Sequence, residues 1–243
     1  MKLDHIFCAI IGDIVHSREL SNRGEVQKQL EKSLTEVNEK YKPHISARFM
    51  ISQGDEFQGL LETSESITDI LDDLQTAMHP VHIRFGIGMG EVLTDIDEAN
   101  SVRVDGPAYY LAREAVNEVR TVETRNGSAG TNVFLRVQND EMPLNTANTL
   151  FSLMDTLRKG WTNRQNDVIR SYKEQQESQV LCAKDLGISQ SAVNQHLKKS
   201  LYFSYWMAEQ TVQEELDRIW RQVSHESNYY IASLGKNGEI LAD

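Results

Sequence analysis

The sequence is poor in cysteine and lacks any apolar run of the roughly 20 residues that a membrane-spanning helix needs. Its two cysteines, Cys8 and Cys182, lie far apart in apolar segments and have no partner at metal-ligand spacing. The N-terminal apolar run is interrupted at Asp13 and is too short for a signal peptide. We therefore expect two buried thiols in a reducing compartment, and a cytoplasmic protein with no membrane partner.

The sequence also lacks an excess of basic residues, because 25 Lys and Arg stand against 36 Asp and Glu, a formal net charge of −11. A protein that coats nucleic acid without specificity is normally basic, so that role is excluded for the chain as a whole. A local DNA-reading surface is still compatible with this charge, because the field at a groove depends on where the charges lie. The 243 residues, 40% of them hydrophobic, suffice for one large globular domain or two smaller ones.

Hydrophobic periodicity in the first half of the chain predicts alternating strands and helices. Apolar runs and alternations predict strands at 6–15, 44–52, 57–61 and 81–92, and helical spacing predicts helices at 23–41 and 64–78. This order is the split βαβ, or ferredoxin-like (βαββαβ), arrangement of an α+β fold. A third helix at 106–122 and a short strand at 133–137 follow, and the first domain is predicted to span 1–142.

Two aspartates are predicted to meet at one edge of this sheet. In the split βαβ topology the first and third strands are antiparallel neighbours, so the end of one lies beside the start of the other. Asp13 is at the former position and Asp55 at the latter. Paired carboxylates repel unless a cation or proton lies between them, and Mg²⁺ prefers such oxygen ligands. Glu56 is adjacent to Asp55 and, in a regular strand, is expected to point to the face opposite Asp55. The alternative is that Asp13 and Asp55 are only capping and turn residues.

Four segments of this half resemble class III nucleotide cyclases, in the same order. They are AIIGDIV at 9–15, GDEF at 54–57, RFGIGMGEV at 84–92, and GPA at 106–108 followed by Ala112 and Arg113. The first two resemble the metal-binding strand and turn, and GDEF also resembles the signature turn of GGDEF diguanylate cyclases. The resemblance implies a metal site at Asp13 and Asp55. It also implies a nucleotide site formed by Gly54, Glu56, Gly86, Gly88 and Arg113.

The chain departs from the cyclase pattern at the residues that would perform catalysis. Tyr110 stands where the cyclases carry a ribose-positioning asparagine, and Glu114 stands where they carry a transition-state arginine. Ile51 replaces an expected lysine, and Gln53 replaces the second glycine of a GGDEF turn. Positioning and electrostatic stabilisation supply most of phosphoryl-transfer catalysis. We therefore expect no ordinary cyclase activity, with binding of a nucleotide or of Mg²⁺ retained.

The glycines of the fourth strand have two interpretations. Gly86, Gly88 and Gly90 share one face by the two-residue period of a strand. Glycine weakens a strand interior and often marks the close approach of another backbone or of a ligand. The sequence therefore allows either a nucleotide at this face or tight packing of the helix that begins near Gly106.

The segment 179–199 predicts a helix-turn-helix in a second domain that spans 143–223. Gly187 permits the turn, Ser189 is a good N-cap, and Val193 and Leu197 form the inner face of the second helix. The residues expected to contact duplex DNA are Ser189, Gln190, Ser191, Asn194, Gln195, Lys198 and Lys199. The alternative is a helical corner used only for dimerisation or domain packing.

A degenerate cyclase-like half followed by a helix-turn-helix resembles the bacterial SatD family. Our first hypothesis is a DNA-binding regulator whose first domain senses a nucleotide or metal. The alternatives are a divergent Mg²⁺-dependent nucleotidyl cyclase or phosphohydrolase, and a protein-interaction adaptor. An amphipathic helix at 201–223 suggests a homodimer, and the alternative is that this helix packs on its own domain. A tail at 224–243 contains a glycine-rich turn at 235–238 that predicts a small hairpin.

Overall fold

The computed structural model describes residues 5–126, 130–139 and 142–238, and it confirms a βαββαβ sheet domain followed by helices. The strands are β1 (Phe7–Ile14), β2 (Ile45–Gln53), β3 (Glu56–Leu61), β4 (Ile83–Gly90) and β5 (Val133–Val137). The helices are α1 (Arg23–Lys40), α2 (Ile67–Met78), α3 (Pro107–Asn126), α4 (Asn145–Lys159), α5 (Asn163–Glu174), α6 (Gln179–Leu186), α7 (Gln190–Lys199) and α8 (Tyr202–Gly238).

The strands form one sheet in the order β2-β3-β1-β4-β5. β1 lies between β3 and β4 and is antiparallel to both, whereas β5 is parallel to β4. Seven of the eight residues of β1 are buried, as expected for a central strand covered on both faces. The predicted adjacency of the first and third strands is therefore confirmed.

The two faces of the sheet are covered by different helices. Ile10 and Phe85 point into the larger apolar core with the inner stripes of α1 and α2, including Leu30 and Leu74. On the other face Ala9, Ile11, Ala108, Ala112 and Val116 form a smaller apolar cluster between β1 and α3. Helix α3 can lie close to the sheet because the strand residues on the face that it covers are small.

The glycines of β4 are the reason for this close approach. A Cβ added to Gly86 would lie 2.1 Å from the carbonyl oxygen of Ala112, and one added to Gly88 would lie 2.1 Å from that of Ala108. Backbone of α3 therefore fills the space in front of both residues. The prediction that Gly86 and Gly88 contact a nucleotide is corrected: they make room for a helix, which was the packing alternative.

We expect Gly88→Ala to lower the free energy of unfolding by about 3 kcal/mol, because the new methyl group would overlap backbone atoms that cannot rotate away. The matched control is Gly24→Ala in the first turn of α1, where an added Cβ meets nothing within 4 Å. That change should be neutral or stabilise by less than about 1 kcal/mol. Urea unfolding of the two variants checks the prediction. Equal midpoints would show that α3 is not packed on β4 in this way.

The C-terminal helices pack on the sheet domain. Ser64 donates a hydrogen bond to Asp217 of α8 (2.6 Å), Thr68 donates one to Gln213 (2.8 Å), and one apolar core runs from the sheet into α4, α5 and α8. Helix α8 runs to Gly238, so both its predicted end at 223 and the predicted hairpin at 235–238 are wrong. The last five residues of the predicted tail lie outside the described residues. No described helix combines the length and apolarity that crossing a membrane requires.

Candidate functional site

The β1 register places the sequence-predicted residues of the first domain at one edge of the sheet. Asp13 has Glu56 of β3 as its cross-strand partner on one side and Arg84 of β4 on the other. Directly paired residues on antiparallel strands share a face, so Glu56 lies on the same face as Asp13. The cross-strand neighbour of Asp13 is therefore Glu56, and not Asp55 as the sequence predicted. Asp55 precedes Glu56 in the β2–β3 turn, where Gly54 takes the left-handed conformation (φ 65°).

Three arginines meet the two carboxylates at this edge. Asp13 Oδ2 accepts a hydrogen bond from Arg84 Nη1 (2.9 Å) and forms an ion pair with Arg120 Nη2 (3.0 Å). Glu56 accepts a hydrogen bond from Arg113. We call these five residues, Asp13, Glu56, Arg84, Arg113 and Arg120, the carboxylate–arginine cluster.

The sequence predicted Asp13, Glu56 and Arg113 as site residues but missed the other two arginines. Arg84 lies two residues before Gly86 and so shares its strand face by the two-residue period. Arg120 lies seven residues after Arg113, two turns along the same helix. Both periodicities were present in the sequence, but neither shows by itself that a side chain reaches a carboxylate.

One oxygen of this cluster has no partner. Asp13 is 5% exposed, and within the described part of the chain its Oδ1 atom is buried without a hydrogen-bond donor. A buried acceptor left unpaired costs about 1–3 kcal/mol, which a ligand can recover. This oxygen suits a divalent cation. Asp13 and the half-buried Asp55 are the residues that would hold Mg²⁺, and that assignment stays a prediction.

The protein does not offer a cation a complete set of ligands at this edge. Among residues 5–126, 130–139 and 142–238, no three His, Cys, Asp or Glu side chains lie together as a metal site. Mg²⁺ commonly takes one or two carboxylates and completes its shell with water and phosphate oxygens. Two aspartates at the sheet edge fit that mode of binding.

The helix-turn-helix is formed by α5, α6 and α7. Gly187 takes the left-handed conformation (φ 63°) between α6 and α7, and Ser189 caps α7 by accepting a hydrogen bond from the Ala192 amide (3.1 Å). Val193 and Leu197 are fully buried against the neighbouring helices. The sequence prediction of the turn, the cap and the inner face agrees with this geometry.

The outer face of α7 carries polar side chains toward solvent. Ser189, Gln190, Ser191, Gln195, Lys198 and Lys199 are exposed, and Asn194 is half-buried. The Ser189 hydroxyl is already engaged as the cap and lies 2.9 Å from the Ser191 hydroxyl. Ser189 thus begins the helix, and contact of these seven residues with DNA stays a prediction.

A buried charged cluster that the sequence did not reveal joins the sheet domain to the helices. Asp72 of α2 is 5% exposed and accepts hydrogen bonds from Lys173 of α5 (2.8 Å), Arg158 of α4 (2.5 Å) and Tyr205 of α8 (3.1 Å). Lys173 also donates to Glu209 of α8 (3.4 Å), which is 2% exposed. We call these five residues the junction cluster. No local pattern signals it, because Asp72 and Lys173 lie 101 residues apart.

The pKa values of the two acids in the junction cluster are shifted in opposite directions. Burial alone would raise the pKa of Asp72, but the charges of Lys173 and Arg158 outweigh it and hold that pKa well below its usual value. Burial, reinforced by the negative charge of Asp72, raises the pKa of Glu209 to about 7, and Lys173 only partly offsets the shift. Glu209 thus changes its charge near neutral pH.

This raised pKa makes the stability of the fold depend on pH. The folded state binds the Glu209 proton more tightly than the unfolded state, so the contribution is complete below about pH 4.5 and is lost as pH rises through about 7. We expect roughly 2–3 kcal/mol of stability to be lost between pH 5 and 8. Glu209→Gln stays neutral and should flatten this part of the profile in urea unfolding. If Glu209→Gln kept the full pH dependence of stability, that dependence would have to come from other titrating groups.

Comparisons with known proteins give one family match and several distant structures. The model of the SatD family matches residues 7–216. The guanylate cyclase domain of RhGC from Catenaria anguillulae, in complex with GTP, is 13% identical and has a TM-score of 0.37, with 48% of this chain and 75% of that chain covered. A bacterial light-regulated adenylyl cyclase is 12% identical, with a TM-score of 0.39 and coverage of 54% and 74%.

A third structure spans more of the chain. The regulator of polyketide synthase expression from Bifidobacterium adolescentis is 11% identical, with a TM-score of 0.25 and coverage of 88% of this chain and 85% of that chain. No curated protein sequence gave a significant match.

Proposed function

The chain belongs to the SatD family, and we propose that it is a DNA-binding regulatory protein whose sheet domain binds a nucleotide together with a divalent cation. The observation that carries this proposal is the division of α7 into two faces. Val193 and Leu197 are fully buried, whereas Gln190, Ser191 and Gln195 are exposed at the start and middle of the helix. A recognition helix that enters the major groove needs one face packed on its domain and the other face open to solvent.

The chemistry of the exposed face of α7 suits duplex DNA. Gln190, Gln195 and the half-buried Asn194 carry amides that can pair with adenine edges, and Lys198 and Lys199 can reach phosphates. The segment 161–200 has six Lys and Arg against four Asp and Glu, whereas the whole chain is strongly acidic. The segment that contains the helix-turn-helix therefore carries a small excess of positive charge, which favours an anionic duplex.

The DNA-binding proposal is tested with the full chain and labelled duplexes of random sequence. Fluorescence anisotropy at about 20 mM salt should show binding that weakens steeply as salt rises, because counterion release dominates phosphate contacts. Selection from the random pool should then enrich a defined site. Absence of binding at the lowest salt, with the protein folded by circular dichroism, would contradict the proposal and leave α5–α7 as a packing or adaptor element.

A homodimer is part of the same proposal. Phe203, Trp206 and Met207 form an exposed apolar stripe at i, i+3 and i+4 on the first turns of α8, directly after α7. Burying this stripe against a second copy would place two α7 helices in one particle, as paired half-sites require. Sedimentation equilibrium at micromolar concentration measures whether the particle has the mass of a monomer or of a dimer. The mass of a monomer would contradict the homodimer.

An enzymatic role is the second candidate, and the unpaired Oδ1 atom of Asp13 is the observation that favours it. With Mg²⁺ bound there, the cation would neutralise the charge of a phosphoryl group. The cyclase catalytic positions hold different chemistry, because Tyr110 donates to Asp105 (2.8 Å) and Glu114 is exposed. Incubation with each nucleoside triphosphate and Mg²⁺, followed by chromatography, tests this role. No product with any of them would exclude it.

A further inference from the structure

We propose that Arg113 and Arg120 act as internal counter-ions that a phosphate-bearing ligand draws away from the carboxylates before a divalent cation binds. Cation and polyphosphate would then bind interdependently, each weakly alone and more tightly together. This inference rests on the proposed nucleotide-binding role of the sheet domain. It adds Arg120, which the cyclase resemblance does not mark, as a residue that binds phosphate.

The charges of the carboxylate–arginine cluster carry the first step. Counted by themselves, its three arginines and two carboxylates carry one net positive charge. Asp13 Oδ2 is shared by Arg84 and Arg120, and Glu56 is bound by Arg113. A divalent cation that arrives alone meets the carboxylates of Asp13 and Glu56 already neutralised. Among the buried oxygens of this cluster, in the described part of the chain, only Asp13 Oδ1 has no donor.

The exposed fractions of the three arginine side chains distinguish Arg84, which is fixed, from Arg113 and Arg120, which can move. The side chains of Arg84 and Asp13 are 12% and 8% exposed, so this pair is held inside the sheet edge. The side chains of Arg113 and Arg120 are 40% and 41% exposed and lie on the open side of α3. They can turn toward a ligand without opening the core.

The spacing of the two movable arginines fits an extended anion. They are seven residues apart on α3, which places their Cα atoms about 10 Å from each other along the helix. Guanidinium groups bind phosphate through parallel hydrogen bonds and prefer it when it is desolvated. A polyphosphate that contacts both would release the oxygens of Asp13 and Glu56 to a cation that also binds the phosphates.

Linkage requires this exchange to be reciprocal, so polyphosphate must raise the affinity for the cation by the same factor as the cation raises the affinity for polyphosphate. We expect a factor of at least about 10, within the usual range for coupled sites. Removing the charge of Arg120 should leave Arg84 as the one remaining arginine of the cluster at Asp13 and so weaken the neutralisation of that carboxylate. The variant Arg120→Gln should therefore bind Mg²⁺ alone more tightly than the wild type does.

Isothermal titration calorimetry on the full chain tests the exchange, with Mg²⁺, ATP, GTP and inorganic tripolyphosphate as probes. The wild type should bind Mg²⁺ at least about 10-fold more tightly in the presence of a triphosphate. Arg120→Gln should gain affinity for Mg²⁺ alone and lose most of the coupling, and Arg120→Lys should lie between the two. Arg103→Gln, a change at a side chain that is 76% exposed, is the matched control and should behave like the wild type.

The outcomes separate this inference from the function on which it rests. Coupling with tripolyphosphate but with neither nucleotide would support the exchange and contradict nucleotide sensing. Mg²⁺ affinity that is unchanged by every phosphate probe would overturn the exchange. Arg120→Gln with wild-type affinity for Mg²⁺ alone, and a circular dichroism spectrum like that of the wild type, would also overturn it. A purely structural Arg120 would alter the melting temperature and leave the Mg²⁺ affinity unmoved.

Discussion

Replacing Lys173 with methionine is expected to lower the free energy of unfolding by about 3 kcal/mol, because it leaves the buried Glu209 carboxylate without its cation and leaves Asp72 with Arg158 as the one cation of the junction cluster. Lys173 donates to Asp72 (2.8 Å) and to Glu209 (3.4 Å), so one ammonium serves two acids. Methionine keeps the length and apolar character of the stem, so lost packing contributes little. Urea unfolding at pH 8, where Glu209 is ionised, measures the effect.

The pH dependence of this loss distinguishes charge from packing. Below about pH 5 Glu209 is protonated, so the absence of Lys173 should cost less there than at pH 8. Lys184→Met is the matched control, since Lys184 is exposed on α6 and the same substitution should change stability by less than about 0.5 kcal/mol. A Lys173→Met loss that is equal at both pH values would show that ionisation of Glu209 does not contribute to it.

The double substitution Gln190→Ala and Gln195→Ala is expected to weaken binding to a selected DNA site by roughly 100-fold. Both side chains lie exposed on α7. Each good amide–base pair contributes about 1–3 kcal/mol of discrimination, and two separate pairs add. Anisotropy on the selected site and on a scrambled duplex measures the loss, which should be confined to the selected site. The control is Gln210→Ala, at an exposed glutamine of α8.

Lys198→Ala should give a different signature from the glutamine variants. A phosphate contact carries no sequence information, so its loss should weaken binding to all duplexes alike and reduce the salt slope by about 1. If the glutamine and lysine variants all bound like the wild type, α7 would not face DNA. The helical corner would then serve dimerisation or packing, which is the alternative that the sequence allowed.

Much of the scaffold could be predicted from the sequence because its signals are local. Period-two and period-3.6 spacing predicted the strands and helices of the sheet domain, and topology then placed β1 beside β3. Gly187 and Ser189 marked the turn and cap of the helix-turn-helix through backbone conformation and hydrogen bonding that involve only a few neighbours. Such features depend on residues that are adjacent in the chain, so pattern is sufficient to find them.

The end of α8 shows where local signals mislead. A glycine-rich run at 235–238 favours a turn when it is considered alone, yet the helix continues to Gly238. The glycines of β4 misled in a different way. Their pattern correctly predicted that something approaches closely, but only the position of α3 decided that backbone and not a ligand fills the space.

The βαββαβ order, the turn and cap between α6 and α7, and the place of Asp13 at the end of β1 could all be read from the sequence. The partners of the buried acids required the folded chain: Arg84 and Arg120 at Asp13, Arg113 at Glu56, and Lys173 and Arg158 at Asp72 of α2. The physical reason is that backbone propensity and burial repeat with a period along the chain. Ion pairs instead depend on register and helix packing between segments up to about a hundred residues apart, where no period connects the partners.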